Sequence, residues 1–211
     1  MDILYVSATK QEASALTGDV PLLITGIGTV NAAIAVSSWL AAAEKLPDLV
    51  INFGTAGALV DGWHGVFEIS HTFQHDFDHE LLSQIAGYEI PNGIDLWCTG
   101  GFPTARLATG NSFIGDSDTR ARLSALAQVC DMEGYAVAAA CQAAGVPCSL
   151  IKQVSDTADE QAATEWSEAA NRGATDLAAA VMRRAALAGR SAVMWCERWE
   201  QSHPLPLEGK T

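Results

Sequence analysis

Short, nearly uninterrupted apolar runs alternate with longer Ala-rich segments through most of this 211-residue chain. Clear examples of the runs are "DILYVS" (2–7), "DLVINFG" (48–54) and "CSLIKQV" (148–154). A strand without polar alternation is buried on both faces, which is typical of parallel strands covered by helices. The pattern predicts an α/β fold: a single-domain, three-layer α/β/α arrangement around a central mixed, mostly parallel sheet. The length fits one such domain better than two very small ones.

The other elements are predicted from the same alternation. Further strands are expected at 20–26, 66–70 and 105–110, and helices at 8–16, 29–46, 119–128, 134–145 and 169–189. Residues 71–103 are rich in His, Gly and Pro, so we expect them to be irregular. The composition changes again near the C-terminus. We therefore divide the chain into a domain at 1–190 and an appendage, or partly disordered end, at 191–211.

The charge balance restricts the kind of partner. A formal net charge of −13 argues against nucleic acid and against an anionic membrane surface, because both attract Lys and Arg. The five Cys are an odd number without CxxC spacing, so we expect neither disulfides nor zinc, and a reducing, cytoplasmic location. The N-terminus does not look like a signal peptide, and no run of about 18 apolar residues predicts a transmembrane helix.

Polar side chains follow three of the predicted strands. Glu12 comes just after strand 2–7, Thr55 just after 48–54, and Asp156 just after 148–154. Ligands of parallel α/β sheets bind beyond the carboxyl ends of the strands. We therefore expect these three side chains to meet at one edge of the sheet and to form a site there.

Each candidate acid also has a purely structural explanation. The segment "TKQE" (9–12) fits a capping box, in which Thr9 caps a helix and Glu12 reaches back to it. Glu133 suits a helix N-terminus, where the helix dipole favours an acid. Asp156 suits the cap of a helix that begins in "SDTADEQAA". These explanations serve each acid singly, but they do not explain why the acids converge on one edge.

Two further motifs have alternative interpretations. The Gly-rich "TGIGTVNAA" (25–33) fits either a phosphate-binding loop or a tight strand-to-helix turn without a ligand. The cluster "HTFQHDFDH" (71–79) holds His71, His75 and His79, which are possible metal ligands. Its spacing matches no zinc signature. We therefore expect a loop of hydrogen-bonded polar residues, no metal and no cofactor.

Several motifs, in their order along the chain, resemble those of the nucleoside phosphorylase and nucleosidase superfamily, and most closely its 5′-methylthioadenosine/S-adenosylhomocysteine nucleosidases. The resemblance covers roughly residues 1–190. The "MEG" and "SD-x-AD" elements are specific, whereas the Gly-rich loops alone are not. The matching segments are "SATKQEASAL" (7–16), "TGIGTVNAA" (25–33), "VINFGTAGAL" (50–59), "HDFD" (75–78), "GNSFI" (110–114), "DMEGYAVA" (131–138) and "GVPCSLIKQVSDTAD" (145–159).

The resemblance implies cleavage of a glycosidic bond between a purine and a ribose. Asp156 would be the general acid that protonates the purine's imidazole ring, and Glu12 the base that activates the attacking water. Such a bond breaks through a sugar cation resembling an oxocarbenium ion, which carboxylates stabilise. An acid that holds its proton near neutral pH needs a raised pKa, and a dry cleft raises it.

The resemblance also implies five substrate-binding residues. Glu133 would bind the ribose hydroxyls, and Met132 would pack against the sugar. Phe113 would stack on the purine, while the main chain of Ile114 would contact the purine's Watson–Crick edge. Thr55 stands where the family has a Ser near the nucleophile.

Water is the expected nucleophile rather than phosphate. Phosphorylases of the superfamily place an Arg at the end of the third strand, where "NFGT" of this chain has Asn52. Without guanidinium groups a phosphate dianion is poorly held.

The region 80–103 diverges most from the family, which uses it to cover the 5′ substituent, often with residues lent by a dimer partner. We expect a homodimer acting on a 5′-substituted purine nucleoside. Two alternatives stay open: a futalosine hydrolase, and a nucleoside-binding module of the same fold without activity. The retained acids argue against the second.

Overall fold

The computed structural model describes residues 1–166 and 173–202, with side chains described as far as residue 188. The strands are β1 (Ile3–Ser7), β2 (Leu22–Ile24), β3 (Leu49–Ala58), β4 (Val66–Gln74), β5 (Ile94–Asp95), β6 (Thr104–Thr109), β7 (Val129–Asp131) and β8 (Cys148–Asp156). The helices are α1 (Thr29–Ala42), α2 (His79–Ala86), α3 (Ser117–Ser124), α4 (Gly134–Ala143) and α5 (Ala174–Ser202). Within these residues, no helix combines the length and apolarity needed to cross a membrane.

All eight strands belong to one mixed, mostly parallel sheet, which confirms the predicted fold class. Parallel pairs join β1 to β2 and β3, β3 to β8, β4 to β6, and β6 to β7. Antiparallel pairs join β3 to β7 and β4 to both β5 and β8. A closed circuit of pairing joins β3, β8, β4, β6 and β7. This part of the sheet therefore closes on itself like a barrel.

Helices cover both faces of the sheet, which gives the three layers. In β8, Leu150 packs with residues of α1 and α4 on one face. The next residue, Ile151, packs with Leu177 and Val181 of α5 on the other face. All four side chains are at most 1% exposed, and burying such a side chain contributes about 1.5–3 kcal/mol. Apolar residues on both sides of a strand are the reason that the strands read as continuous hydrophobic runs.

The helix predicted at 8–16 is wrong. Residues 10–15 form turns, and the Ala13 N–H reaches the Thr9 carbonyl at a long 3.4 Å. The reciprocal contacts of a capping box are nevertheless present between Thr9 and Glu12. The chain does not continue as a helix because Glu12 is also held from β3, which draws this segment toward the sheet.

The prediction of an irregular segment at 71–103 is confirmed only for 75–78, 87–93 and 96–103, which lie outside helices and strands. Strand β4 continues to Gln74, and α2 and β5 follow it. Asp78 caps α2 by accepting a hydrogen bond from the Leu81 N–H at 3.0 Å. Gly87 ends the helix in the left-handed region, at a φ of 75°. These are ordinary cap signals, hidden in the sequence by the surrounding His and Asp residues.

The C-terminal prediction is tested only in part. The expected helix at 169–189 begins at Ala174 and continues to Ser202, across the proposed boundary at residue 190. Residues 167–172 and 203–211 lie outside the described residues. The division into a domain at 1–190 and an appendage at 191–211 therefore stays a prediction.

Strand β7 was not predicted from the sequence, because three residues are too few to show a strand pattern.

Candidate active site

The structure brings all the predicted site residues to one cleft. The cleft lies where β1, β6, β7 and β8 end, alongside the second half of β3. The residues from the predictions that line it are Glu12, Thr55, Phe113, Ile114, Met132, Glu133 and Asp156. The expected convergence at one edge of the sheet is therefore present, while the individual catalytic roles stay predictions.

Glu12 is held by hydrogen-bond donors on both of its carboxylate oxygens. Oε1 accepts from the Thr55 N–H and hydroxyl, both at 2.8 Å. Oε2 accepts from the Thr9 N–H at 3.2 Å and the Thr9 hydroxyl at 3.0 Å, with the Ser7 hydroxyl at 3.4 Å. The residue is only 6% exposed. The capping contacts and the cleft contacts thus coexist on different oxygens of one side chain.

Asp156 is equally buried but accepts fewer hydrogen bonds. Oδ1 accepts from the Ala158 N–H at 3.0 Å, and Oδ2 accepts from the Ser155 hydroxyl at 2.7 Å. Burial raises the pKa of Asp156 above its ordinary value, although these two hydrogen bonds lower it. Asp159 accepts from the Gln161 N–H ahead of the short helical turn at 162–166. The expected helix-capping role therefore falls to Asp159 and not to Asp156.

A β-bulge helps to place Asp156. In the ladder between β3 and β8, Ala56 pairs with Val154 but Gly57 pairs with Asp156, which leaves Ser155 as an extra residue. Consecutive residues of a regular strand point to opposite faces. Because a bulge interrupts that alternation, Ser155 and Asp156 both line the cleft.

Two glycines of β3 make room for the two acids. A Cβ atom on Gly54 would lie 2.9 Å from Glu12 Oε1. A Cβ atom on Gly57 would lie 2.8 Å from Asp156 Oδ1. Either side chain would displace a carboxylate, so β3 needs glycine at both positions for close approach.

Glu133 lies at the N-terminus of α4 but does not cap that helix with its side chain. Its Oε1 instead accepts a hydrogen bond from the Gly28 N–H at 2.8 Å. Burial, together with the charge of Asp131, raises the pKa of Glu133 to about 7, against the opposing effects of Lys152 and the Gly28 N–H. This carboxyl group therefore changes its charge near neutral pH.

A buried ion pair lies beneath Glu133. Lys152 Nζ contacts Asp131 Oδ2 at 2.8 Å, and both side chains are 2% exposed. Asp131 also accepts from the Thr109 hydroxyl at 2.6 Å and the Gly134 N–H at 2.9 Å. Burial alone lowers the pKa of Lys152, but the carboxylates around it outweigh that effect and raise it. The lysine thus supplies a permanent positive charge close to the acids of the cleft.

The outer part of the cleft is apolar and partly open. Phe113 is 47% exposed and Ile27 is 49% exposed, whereas Ile114 is buried. Met132 is half-buried beside Glu133. An exposed aromatic ring opposite buried polar groups suits a flat base joined to a hydroxylated sugar.

The Gly-rich loop 25–33 forms a tight turn whose donors are already engaged. Gly26 and Gly28 both have positive φ, at 82° and 99°. The Gly28 N–H donates to Glu133, and the Thr29 N–H donates to Asn111 Oδ1 at 3.0 Å. The loop therefore presents carboxylate- and amide-bound N–H groups rather than a free phosphate cradle.

The His-rich segment shows no metal-binding arrangement. His71 Nδ1 pairs with Asp95 Oδ1 at 2.7 Å, and burial lowers the pKa of His75. His79 is buried and stacks edge-on against Phe77. Among the described residues, no three His, Cys, Asp or Glu side chains are grouped so as to hold a metal ion.

Three residues of the site were not predicted from the sequence. Lys152 lies within an apolar strand, Ser155 enters the cleft through the bulge, and Trp166 lies ten positions after Asp156. A charged residue inside the buried run "CSLIKQV" was a usable signal, because buried charges need partners. Neither the bulge nor the position of Trp166 leaves a comparable local pattern.

Known proteins resemble this chain in both sequence and fold. Residues 9–188 match the model of the phosphorylase superfamily. The 5′-methylthioadenosine/S-adenosylhomocysteine nucleosidase of Shewanella sp. (strain W3-18-1) is 32% identical over 180 residues, covering 73% of this chain and 75% of the relative. The enzyme of that name from Exiguobacterium sp. (strain ATCC BAA-1283 / AT1b) is 32% identical over 171 residues, covering 71% and 72%.

Solved structures agree on the fold. The nucleosidase of that name from S. pneumoniae, with the transition-state inhibitor MT-ImmA, superposes with a TM-score of 0.74 at 24% identity, covering 92% of this chain and all of that one. A futalosine hydrolase mutant of Helicobacter pylori strain 26695 gives a TM-score of 0.76 at 20% identity, covering 89% and 98%. With the sequence relatives, these findings show that the chain belongs to the phosphorylase superfamily, among the relatives of the 5′-methylthioadenosine/S-adenosylhomocysteine nucleosidases.

Proposed function

We propose that the protein is a purine nucleosidase that hydrolyses the N-glycosidic bond of 5′-substituted adenosines of the methylthioadenosine and S-adenosylhomocysteine type. The observation that carries the proposal is the meeting of Glu12, Glu133 and Asp156 in one cleft beside the aromatic ring of Phe113. Relatives at about one-third identity bear the name of this activity. The arrangement suits a purine, a ribose and a developing positive charge.

Asp156 acts as the acid in the proposed reaction. Its raised pKa favours the protonated form that a proton donor needs. Transfer of that proton to the imidazole ring of the purine makes the base a neutral leaving group. The electron pair of the glycosidic bond then leaves with the purine, and the ribose becomes cationic at its anomeric carbon.

Glu12 and Glu133 act on the sugar side. Glu12, ionised and held by its donors, accepts a proton from water as the water oxygen bonds to the anomeric carbon. Glu133 in its ionised form accepts hydrogen bonds from the ribose hydroxyls. The negative charges of both acids stabilise the cationic sugar in a low-dielectric cleft. The products are the free purine and the 5′-substituted ribose.

Four contacts favour water over phosphate as nucleophile. Asn52, which stands in the place of the phosphorylase Arg, is 1% exposed and donates to the Val6 carbonyl at 3.1 Å. The Gly28 and Thr29 N–H groups are occupied by side chains. The cation Lys152 is already paired with Asp131. None of these groups is left to bind a dianion.

We also propose a cytoplasmic homodimer. Apolar side chains are exposed along one stripe of α2, where Leu81 is 50%, Ile85 is 72% and Tyr88 just beyond it is 67% exposed. Val30 and Ile34 of α1 are exposed in the same way, at 65% and 61%. Such stripes favour contact with a second copy. The four Cys with described side chains are free thiols, which fits a reducing compartment.

Purine release from a panel of nucleosides tests the function. Methylthioadenosine, S-adenosylhomocysteine, futalosine and adenosine would be compared in phosphate-free buffer and in buffer with phosphate. We expect adenine release from the 5′-thio nucleosides without phosphate. Strict phosphate dependence, with a sugar 1-phosphate as product, would show a phosphorylase. Preference for futalosine would support the hydrolase alternative, and binding without turnover of any nucleoside would support the inactive module.

A further inference from the structure

Trp166 makes a polar contact with the site that the proposed mechanism has not used. Its indole Nε1–H donates to Thr55 Oγ1 at 3.0 Å. The same Thr55 oxygen lies 2.8 Å from Glu12 Oε1. Trp166 is half-buried and lines the cleft with both of these residues. An indole, a hydroxyl and a carboxylate thus form a continuous chain that ends at the proposed base.

The chemistry of the three groups fixes the direction of each hydrogen bond. An indole N–H can only donate, and an ionised carboxylate can only accept. The Thr55 hydroxyl must therefore accept from Trp166 and direct its own proton to Glu12. Without the indole, this hydroxyl could rotate about its C–O bond and donate elsewhere, for example to the oxygen of the attacking water. A water whose lone pair accepts such a proton is a weaker nucleophile.

We propose that Trp166 is a positioning residue for hydrolysis, acting through the Thr55 hydroxyl to keep the Glu12 carboxylate oriented toward the attacking water. This inference rests on the proposed function. It differs from a role as a mere wall of the cleft, because the N–H group and not only the ring is required. On Oε1 the other donor is the Thr55 N–H, which is fixed main chain. The Thr55 hydroxyl can rotate, so it is the donor on Oε1 whose orientation the Trp166 N–H must fix.

The test is a double-mutant cycle between Trp166→Phe and Thr55→Ala. Phe keeps an aromatic wall but lacks the N–H. We expect Trp166→Phe to lower kcat about 3- to 10-fold, the range that loss of one hydrogen bond implies, with KM changed by less than about 2-fold. In the Thr55→Ala background, Trp166→Phe should cause no further loss. A matched control is Trp39→Phe on α1, half-buried and packed on the core away from the cleft, which should keep wild-type kcat.

Other outcomes would overturn the inference. An unchanged kcat in Trp166→Phe would do so, and so would a rise in KM alone, which indicates only ring packing. An equal loss with and without the Thr55 hydroxyl would show that Trp166 acts by another route. Thermal midpoints show whether each variant folds. Should Trp166→Phe fail to fold, Trp166→Leu also removes the indole N–H without adding a donor and enters the same cycle.

A measurement that does not depend on turnover separates this inference from the proposed function. The indole N–H resonance of Trp166, identified by its loss in Trp166→Phe, should move in Thr55→Ala as its acceptor disappears. If the wild type releases no purine, the proposed function fails while this resonance still decides whether the hydrogen-bonded chain exists. An unmoved resonance would overturn the inference even in an active enzyme.

Discussion

Glu12 and Asp156 are similarly buried, at 6% and 5% exposed, but the protein surrounds them differently. Five N–H and O–H groups lie within hydrogen-bonding distance of the Glu12 oxygens. Asp156 has two such donors, of which one is a rotatable hydroxyl. Donors stabilise a carboxylate anion, whereas burial without them favours the protonated acid. The number of donors, and not the depth of burial, therefore distinguishes the proposed base Glu12 from the proposed acid Asp156.

The largest expected effect comes from removing the acid. Asp156→Asn cannot donate a proton as a carboxylic acid does, so kcat should fall about 10²- to 10⁴-fold. The fold should be unaffected, because the amide oxygen can still accept from the Ala158 N–H while the Ser155 hydroxyl turns to face the new NH₂ group. Purine release and the thermal midpoint measure the two effects. Near-normal turnover would mean that Asp156 only stabilises its turn.

Removing the base should be almost as harmful to turnover, but with an added cost in stability. Glu12→Gln cannot take a proton from water, so kcat should fall about 10²-fold or more. Both Glu12 oxygens accept from main-chain N–H groups, which cannot rotate. The amide NH₂ must face one of them, so the free energy of unfolding should fall by about 1–3 kcal/mol.

The two variants together test the comparison most directly. Denaturant unfolding and single-turnover rates would be measured on the same preparations, with nucleoside affinity as the check on the site. A Glu12→Gln protein as stable as Asp156→Asn would contradict the proposed difference in hydrogen bonding. An unstable but fully active Glu12→Gln protein would reduce Glu12 to a structural residue, and the base would have to be sought elsewhere.

The sequence predicted that the acids lie together, because they stand where parallel strands end. Glu12 and Asp156 follow apolar runs, and the topology alone brings such positions to one edge of the sheet. Their hydrogen bonds were less accessible. The Thr9–Glu12 contacts were predicted because a capping box is local, within three residues. The Thr55–Glu12 contacts join positions 43 residues apart, in a segment where a helix was predicted at 8–16 and does not form.

The remaining errors have the same origin. Ser155 enters the cleft only because the ladder slips by one residue against β3, and a bulge has no pattern of its own in this sequence. Lys152 lies inside the strand 148–154, which was interpreted as an apolar run in spite of this charged residue. Its partner Asp131 lies 21 positions earlier on another strand. Local patterns predict the secondary structure of a segment, but not which distant side chains will contact it.

Glu133, the third acid of the cleft, should make nucleoside binding depend on pH. Its pKa of about 7 means that the anion proposed to bind the ribose is lost as pH falls through neutrality. We expect KM, or the Kd of an uncleaved nucleoside analogue, to rise about 10-fold between pH 8 and pH 6. Glu133→Gln should bind weakly and without this dependence. A flat profile in the wild type would show that Glu133 is charged throughout or does not bind the ribose.

The same group gives a check on stability. Its pKa is raised from 4.5 in the unfolded chain to about 7 in the folded protein, so the native state binds the proton more tightly. The stabilisation linked to that proton is complete below pH 4.5 and is lost as pH rises through 7. Glu133→Gln should therefore lose less stability than the wild type between pH 5 and pH 8, as thermal midpoints would show.

The smallest expected effect is a further rise in the pKa of Asp156. The Ser155 hydroxyl lowers the pKa of Asp156 by donating to Oδ2, so Ser155→Ala should raise that pKa further. The alkaline limb of the kcat profile, where the proposed acid loses its proton, should therefore move to higher pH, with kcat at its optimum nearly unchanged. Ser124→Ala is a matched control, because its hydroxyl donates to the Ala121 carbonyl on the exposed α3. A shift of the acid limb instead would assign the change to a base, and the division of roles between Asp156 and Glu12 would have to be reversed.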